Sequence, residues 1–347
     1  MKFGVLQFFS WPQRRTTLQT VYERAMQRID IMDKTGYDAV WLAEHHFTEY
    51  SVCPSVHMMG MHLANKTQNL RIGTAVSLAA MYHPLRLAEE VALLDVLSEG
   101  RVNWGAGRGF DPTEFHTFNI PLPESKARFQ EAVDIVLEAW TNETITWKSD
   151  TWNFENVEVL PKPYQQPHPP VWIASSSPDS IEWAATRGHT AMLGPHAEFD
   201  KVAEMRNFFL DKMKVNGHSA EGRDIPMARL IAVADTDAEA EKIARSGAEW
   251  IVKSYKNESK GMANPVKTVV VDGKVQEVDD IDRYLQDAII WGTPERVIDL
   301  LHRLEEEMYL DYLMCAPLSH SSFMMFTEKV MPHFLGSSPA QPIRQAV

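Results

Sequence analysis

Two adjacent histidines, His45 and His46, are the residues of this sequence best suited to proton-transfer chemistry. They directly follow the apolar segment 38–44, and an imidazole gains or loses a proton near neutral pH. Alternate side chains of an extended segment point to opposite faces, so only one of the two imidazoles can face a given site. The sequence is compatible with a catalytic acid–base group and with a pair of hydrogen-bonded structural histidines. A metal site is not indicated, because the doublet lacks the H-E-x-x-H spacing and a nearby partner ligand.

The glycine-rich segment 104–110 is a candidate anion site. Glycines at 105, 107 and 109 would let the backbone pass close to a ligand, and Arg108 could hold a phosphate or carboxylate through two hydrogen bonds. The segment is not a Walker loop, because it lacks G-K-[ST]. A tight turn with a salt-bridged arginine is the alternative explanation.

The serines at 175–177 and Ser180 form a second candidate anion site. They lie between an apolar segment and an expected helix start, where hydroxyls and free backbone N–H groups can bind an anion. Plain helix capping explains the same residues, and capping is compatible with phosphate binding.

Small side chains dominate the segment 73–77, at the expected end of a strand. They would leave room for a flat ring beside the backbone. An ordinary packed strand explains the same residues, and the sequence alone favours that explanation.

The elements that must position these residues alternate between strand-like and helix-like segments. Apolar, strand-length runs lie near residues 5, 41, 74, 104, 172, 192, 231 and 313, and each precedes a helical pattern. An open doubly wound sheet and a closed (β/α)8 barrel both have this alternation. Eight repeats without G-x-G-x-x-G after the first strand favour an α/β fold of the TIM-barrel type with insertions. Barrel ligands bind where strands end, and each candidate segment lies at such a position.

The sequence predicts one domain over residues 1–335. Two segments break the alternation: the Trp- and Pro-rich stretch 144–170, interpreted as a hairpin and an extended crossing, and the polar stretch 256–291. Both are predicted to be insertions. Residues 336–347 are rich in Ser, Pro and Gln and are predicted to be a flexible C-terminal tail.

Composition and charge exclude several classes of protein. With 34 Lys+Arg against 47 Asp+Glu, the net charge is −13, which argues against nucleic acid or an anionic membrane as partner. The 44% hydrophobic content excludes a disordered chain. No apolar stretch approaches the ~18 residues of a membrane span, and no signal peptide is visible. Two cysteines, Cys53 and Cys315, cannot form a disulfide scaffold, so a reduced, cytoplasmic location is expected.

Taken together, these segments resemble the bacterial luciferase-like flavin-dependent monooxygenases. The motifs that carry the resemblance are Trp41–Glu49, Gly73–Ala75, Leu97–Arg101 and Gly107–Gly109. Their order and spacing match the family in register from residue 1 to about 200. The match resumes at 292–295 and covers 330–332, whereas 256–291 is unmatched.

The resemblance implies a TIM barrel with an insertion before its last strand and an enzyme that uses FMN. In this family a separate reductase supplies FMNH2, the flavin reacts with O2 to form a C4a-peroxide, and one oxygen atom enters a small organic substrate. The site must exclude water, since the peroxide otherwise decays to H2O2. His45 falls on the family's catalytic histidine, near the reactive edge of the flavin, where it would act as acid, base or hydrogen-bond donor.

The resemblance also assigns cofactor-binding positions. Arg108, Ser177 and Ser180 fall on phosphate-binding positions, whereas Ser176 replaces a carboxylate of luciferase. Ala75 and Val76 fall on a peptide bond that is cis in luciferase and lies beneath the flavin ring.

One departure concerns Gly107, which occupies the position of luciferase's reactive cysteine and argues against light emission. Two rival functions share the fold: an F420-dependent oxidoreductase that transfers a hydride, and a non-catalytic flavin-binding subunit. The segment 44–47 favours FMN over F420, and His45 speaks against the non-catalytic subunit. A homodimer is expected through the second and third helices, with Met58, Met59 and Met61 at the contact.

Overall fold

The computed structural model describes residues 1–254, 268–271 and 274–335. Its strands are β1 (Lys2–Gln7), β2 (Ala39–Leu42), β3 (Arg71–Thr74), β4 (Ser77–Leu78), β5 (Val102–Gly107), β6 (Ile145–Lys148), β7 (Asn153–Val157), β8 (Val171–Ser175), β9 (Thr190–Leu193), β10 (Pro226–Val233), β11 (Thr268–Val271), β12 (Lys274–Glu277), β13 (Ile289–Gly292) and β14 (Tyr312–Pro317). Its α-helices are α1 (Leu18–Thr35), α2 (Val56–Lys66), α3 (Pro84–Leu97), α4 (Pro112–Thr117), α5 (Ser125–Thr141), α6 (Pro178–Thr186), α7 (Phe199–Val215), α8 (Asp237–Ser254), α9 (Asp280–Asp287), α10 (Pro294–Met308) and α11 (His320–Met325).

Eight parallel strands form a closed barrel, which confirms the predicted TIM-barrel fold. They are β1, β2, β3, β5, β8, β9, β10 and β14. The ring closes where Met227 pairs with Leu193 and where Lys2 pairs with Tyr312. All eight coincide with strands expected from the sequence, because strands of a parallel barrel are buried on both faces and therefore read as apolar runs.

Aromatic side chains pack against one another inside the barrel. The rings of Trp41 and Trp172 lie 4.6 Å apart, and those of Trp172 and Tyr312 lie 5.6 Å apart. The Trp41 indole donates to the Tyr312 hydroxyl at 3.0 Å. A Cβ at Gly73 would lie 2.2 Å from the Trp41 ring, so the indole occupies the space that a side chain on β3 would need. At this level the barrel interior is therefore filled by side chains and is not an open channel.

The segment 144–170 contains an antiparallel hairpin. β6 and β7 pair through Ile145 and Val157, and the chain then returns to β8 with cis peptide bonds before Pro161 and Pro167. The hairpin lies outside the barrel sheet.

The segment 256–291 differs from its sequence-based description. Residues 255–267 and 272–273, like the expected tail 336–347, lie outside the described residues. Further along, α9 is followed by β13, which pairs in parallel with β10, with Leu230 opposite Ile289. The sequence analysis gave this stretch no strand, so the expected insertion extends too far: the apolar run 289–291 belongs to the barrel sheet. Within the described part of the chain, no helix is both long and apolar enough to cross a membrane.

Candidate active site

The two histidines follow β2 at the carboxyl end of the barrel, and each faces a different buried carboxylate. Nδ1 of His45 lies 3.6 Å from Oε1 of Glu114. Nε2 of His46 lies 3.0 Å from Oε1 of Glu44. The alternation along the extended segment therefore separates the imidazoles, and the structure gives the two rings different surroundings.

Aromatic rings surround His45. Phe8 stacks on the imidazole with centroids 6.4 Å apart, whereas Tyr50 and Phe110 meet it edge-on at 5.1 Å and 5.8 Å. The His45 side chain keeps 11% exposure. An imidazole in this position is shielded from bulk water yet can still exchange a proton with a bound molecule.

Glu44 holds His46 in a closed hydrogen-bond network. Its carboxylate accepts hydrogen bonds from the Tyr82 hydroxyl at 2.9 Å and from the Leu78 amide at 3.3 Å, in addition to its contact with His46. Burial, and then the negative charge of Glu44, raise the pKa of the Tyr82 phenol, so this hydroxyl remains a donor. His46 and Glu44 thus meet the description of a structural pair.

Glu114, on α4, is the residue that the sequence analysis missed. Asp111 caps this helix by accepting from the Thr113 amide at 2.9 Å, and Pro112 occupies its first position. An Asp-Pro pair is a helix-start signal that was present in the sequence. Oε1 of Glu114 accepts from the His46 amide at 2.9 Å, while Oε2 is buried without a hydrogen-bond partner.

Arg108 follows β5 and is exposed. Its guanidinium contacts the Ser125 hydroxyl at 3.4 Å. Among the described residues, no carboxylate forms an ion pair with it, so the salt-bridged alternative does not hold for this part of the chain. The positive charge of Arg108 is available to an anionic ligand.

The predicted serines cap α6. The Ser177 hydroxyl accepts from the Ser180 amide at 3.3 Å, and the Ser180 hydroxyl accepts from the amides of Ser177 and Ser176 at 3.1 Å and 3.2 Å. The capping explanation is therefore correct. A phosphate role for these serines stays a prediction.

An ion pair connects this helix start to the neighbourhood of Arg108. Lys126 lies 3.1 Å from Asp179 in the first turn of α6, and its neighbour Ser125 is the residue that Arg108 contacts. Arg108 and the start of α6 thus both contact the first residues of α5.

Small residues adjoin the end of β3. The peptide bond between Ala75 and Val76 is cis, and both residues are half-buried. A Cβ at Gly107 would lie 2.4 Å from Cγ2 of Val76. A cysteine, as in luciferase, could therefore not occupy position 107 without a shift of Val76.

Neither cysteine is suited to nucleophilic chemistry. Both are buried and free. Burial, followed by the negative charge of Glu44, raises the pKa of Cys53 to about 12, and burial also raises the pKa of Cys315. Both therefore remain neutral thiols at physiological pH.

A cavity of about 1440 Å³ opens at the carboxyl ends of β1, β10 and β14. Phe8 and Tyr50, which pack against His45, contribute to its lining, as do Gln7 and Trp250. The side-chain oxygen of Gln7 and the indole N–H of Trp250 are buried without hydrogen-bond partners. The cavity thus reaches the aromatic wall around His45 and has two polar groups available in its lining.

The family model described as luciferase-like monooxygenase matches residues 1–311. The chain belongs to the luciferase-like monooxygenase family. The resemblance inferred from the sequence is confirmed.

Curated relatives of the chain include two proteins without an assigned activity and one named monooxygenase. Two curated proteins of Sinorhizobium fredii, y4wF and y4vJ, are 36% and 28% identical; the matches cover 58% and 63% of this chain and 63% of the length of each relative. The oxygenase component of the flavin-dependent trigonelline monooxygenase of Acinetobacter baylyi is 28% identical, over 70% of this chain and 68% of that protein. The monooxygenase RslO1 of Streptomyces bottropensis superposes with a TM-score of 0.84 at 27% identity, covering 96% of this chain and 100% of its own.

More distant structures share the fold with different cofactors. The oxygenating constituent of 3,6-diketocamphane monooxygenase from Pseudomonas putida, in complex with FMN, has a TM-score of 0.76 at 17% identity and covers 96% of this chain and 98% of that one. An F420-dependent secondary alcohol dehydrogenase has a TM-score of 0.75 at 19% identity, with coverage of 95% and 98%. The fold alone therefore does not distinguish FMN from F420.

Proposed function

We propose that this chain is the oxygenase of a two-component, FMN-dependent monooxygenase that transfers one oxygen atom from O2 to a small organic substrate. The observation that carries the proposal is the position of His45. Its imidazole lies at the carboxyl end of the barrel, against two rings, Phe8 and Tyr50, that also line the large cavity. A group that exchanges protons there lies directly behind the wall of a cavity that could hold a substrate.

The residues present fit FMN. Arg108 offers a cation without a carboxylate partner among the described residues, and the start of α6, with Ser176, Ser177 and Ser180, adds the positive end of a helix. Together they suit a phosphate monoester. Ala75 and Val76 offer a half-buried surface of small side chains for a flat ring. When bound, reduced FMN supplies the electrons for oxygen activation.

The protein's own contribution is proton transfer and exclusion of water. His45 would hold or release a proton at the imidazole nitrogen that does not face Glu114. Phe8, Tyr50 and Phe110 shield this position, and a dry site favours substrate oxygenation over release of H2O2.

An F420-dependent hydride transfer is the second candidate, because an F420-dependent dehydrogenase shares the fold almost equally well. The segment 44–47 favours FMN. The two candidates are separated by anaerobic titration of the protein with FMNH2 and with reduced F420, followed by flavin fluorescence. We expect micromolar binding of FMNH2. Tight binding of reduced F420 without binding of FMNH2 would contradict the main proposal.

The substrate, partner and assembly complete the proposal. A separate flavin reductase would supply FMNH2, as the name "oxygenase component" indicates for the trigonelline enzyme. Oxygen consumption with a reductase, screened over aldehydes, ketones and phenols, would identify the substrate class. Two buried free thiols accord with a cytoplasmic location.

A homodimer would bury apolar residues that α2 and α3 leave exposed. Met58 is 78% exposed, and Leu93 and Leu97 on α3 are also exposed. Met59 and Met61 instead pack against the core, so Met58 is the methionine suited to a contact. Light scattering of the wild type and of Met58→Glu measures the assembly. A monomeric wild type would contradict this part of the proposal.

A further inference from the structure

We infer that Glu114 is a positioning residue that fixes the tautomer of His45. In this assignment His45 carries its hydrogen on Nδ1, toward Glu114, and leaves the Nε2 lone pair free to accept a proton from a bound molecule. Only the catalytic consequence of this assignment rests on the proposed function. The tautomer itself is a property of the protein without flavin.

The Glu114 carboxyl group is isolated from other donors. Glu114 is fully buried, its Oε1 accepts one backbone hydrogen bond from His46, and its Oε2 has no partner. Within the described residues, His45 is the one basic side chain within 4 Å of this carboxyl group. A buried carboxylate with so few donors is costly, so an N–H directed at it from His45 lowers the free energy of the folded state.

Glu44, the other buried carboxylate beside the histidines, has more donors than Glu114. That carboxylate receives hydrogen bonds from Tyr82 and from the backbone of Leu78 as well as from His46. Glu44 is thus satisfied largely by groups that do not titrate near neutral pH. For Glu114, the His45 imidazole is the nearest side-chain group among the described residues that could become a second donor.

The carboxyl group of Glu114 lies on the Nδ1 side of the His45 ring. The 3.6 Å between His45 Nδ1 and Glu114 Oε1 exceeds hydrogen-bond length, but catalytic hydrogen bonds are often long without ligand and shorten on binding. The hydrogen bond made by one ring nitrogen decides which nitrogen carries the hydrogen. A carboxylate beside Nδ1 therefore selects the Nδ1–H tautomer and leaves Nε2 as the acceptor.

The test is nuclear magnetic resonance of the flavin-free protein with ¹⁵N-labelled histidine. Long-range ¹H–¹⁵N spectra distinguish a protonated from an unprotonated ring nitrogen, and His45→Asn identifies the His45 signals among those of the 13 histidines. We expect the wild type to show His45 mainly as Nδ1–H. A wild type with His45 mainly as Nε2–H would overturn the inference without any variant.

Glu114→Gln removes the charge but keeps an oxygen that can accept from the His46 amide. We expect the Nδ1–H share of His45 to fall from the major to the minor form. Glu44→Gln is the matched control and should change the signals of His46 while leaving the His45 tautomer in place. An unchanged His45 tautomer in folded Glu114→Gln would contradict the positioning role. If Glu114→Gln does not fold, Glu114→Asp keeps the charge at a longer distance and should reduce the Nδ1–H share partially.

The consequence for catalysis has a separate readout. With FMNH2 and substrate, Glu114→Gln should lower product formed per O2 consumed about tenfold without weakening FMN binding. If the wild type does not bind FMN, the proposed function is contradicted. The tautomer measurement, which needs no flavin, still tests the role of Glu114 in that case.

Discussion

The two ends of the barrel use their charged groups differently. At the amino end, Asp38 accepts from the Tyr312 hydroxyl at 2.9 Å and Lys2 pairs with Asp224 at 3.0 Å. Arg71 there donates to Asn103, Gln165 and two backbone carbonyls. At the carboxyl end, Arg108 has one weak contact. Charges that are already satisfied stabilise the fold, and charges that are not satisfied are available to a ligand.

A smaller cavity of about 550 Å³ also lies at the amino end, so the presence of a cavity does not by itself distinguish the ends. The distinction lies in what surrounds each cavity. The larger cavity adjoins the aromatic rings around His45 at the carboxyl ends of the strands, where barrel ligands generally bind.

The largest expected effect follows from removing His45. His45→Asn should lower product formation by a factor of about 10²–10⁴, the usual contribution of acid–base catalysis, and divert consumed O2 to H2O2. FMNH2 binding should remain, because Arg108 is untouched. Product yield, H2O2 and flavin affinity are measured together. An unchanged product yield would remove His45 from the mechanism.

The next effect tests the anion site. Arg108→Gln should weaken FMN binding about 10- to 100-fold, in keeping with the loss of ~1.5–3 kcal/mol from a charge-assisted hydrogen bond. Riboflavin, which lacks the phosphate, should bind as before. Arg71→Gln is the control from the amino end and should lower the melting temperature without changing FMN affinity. Equal losses for FMN and riboflavin would exclude a phosphate contact by Arg108.

Arg229 is an exception to the comparison. It is fully buried on β10, lies over the Phe199 ring at 4.5 Å, and leaves two of its nitrogens without partners. Burial lowers its pKa to about 9. The third nitrogen donates to the Ala228 carbonyl at 3.4 Å, so the buried charge is only partly compensated, and replacing it by an apolar side chain of similar length removes a desolvation cost. Arg229→Met should raise the free energy of unfolding by about 2 kcal/mol, measured by urea denaturation. A loss of stability would show that the guanidinium has compensation beyond these contacts.

The comparison of ends also explains what the sequence could predict. Each barrel strand is a buried apolar run, so all eight were visible, and Arg108 and His45 stood out because they follow strands. Glu114 could not be recognised in this way, because α4 is too short to show helical periodicity. Its contact with His45 depends on the relative positions of the segments after β2 and β5. β13 was not predicted, because four residues beside a polar stretch give no periodic signal.

The smallest effect concerns the amino end, where His189 is buried beside the smaller cavity. Burial, followed by the nearby cationic groups of His168, Arg187 and Arg223, lowers its pKa to about 3. The folded protein therefore keeps this imidazole neutral, whereas in the unfolded chain it takes up a proton near pH 6.5. Stability from this group is complete above pH 6.5 and is lost as the pH falls from 6.5 toward 3. At pH 5.5 the loss is about 1 kcal/mol.

His189→Gln cannot take up this proton, so the fall in its free energy of unfolding from pH 7.5 to 5.5 should be smaller than in the wild type by that amount. Equal falls in the two proteins would mean that the amino end does not exclude a proton at His189, and its polar groups would then be less firmly fixed than their contacts indicate.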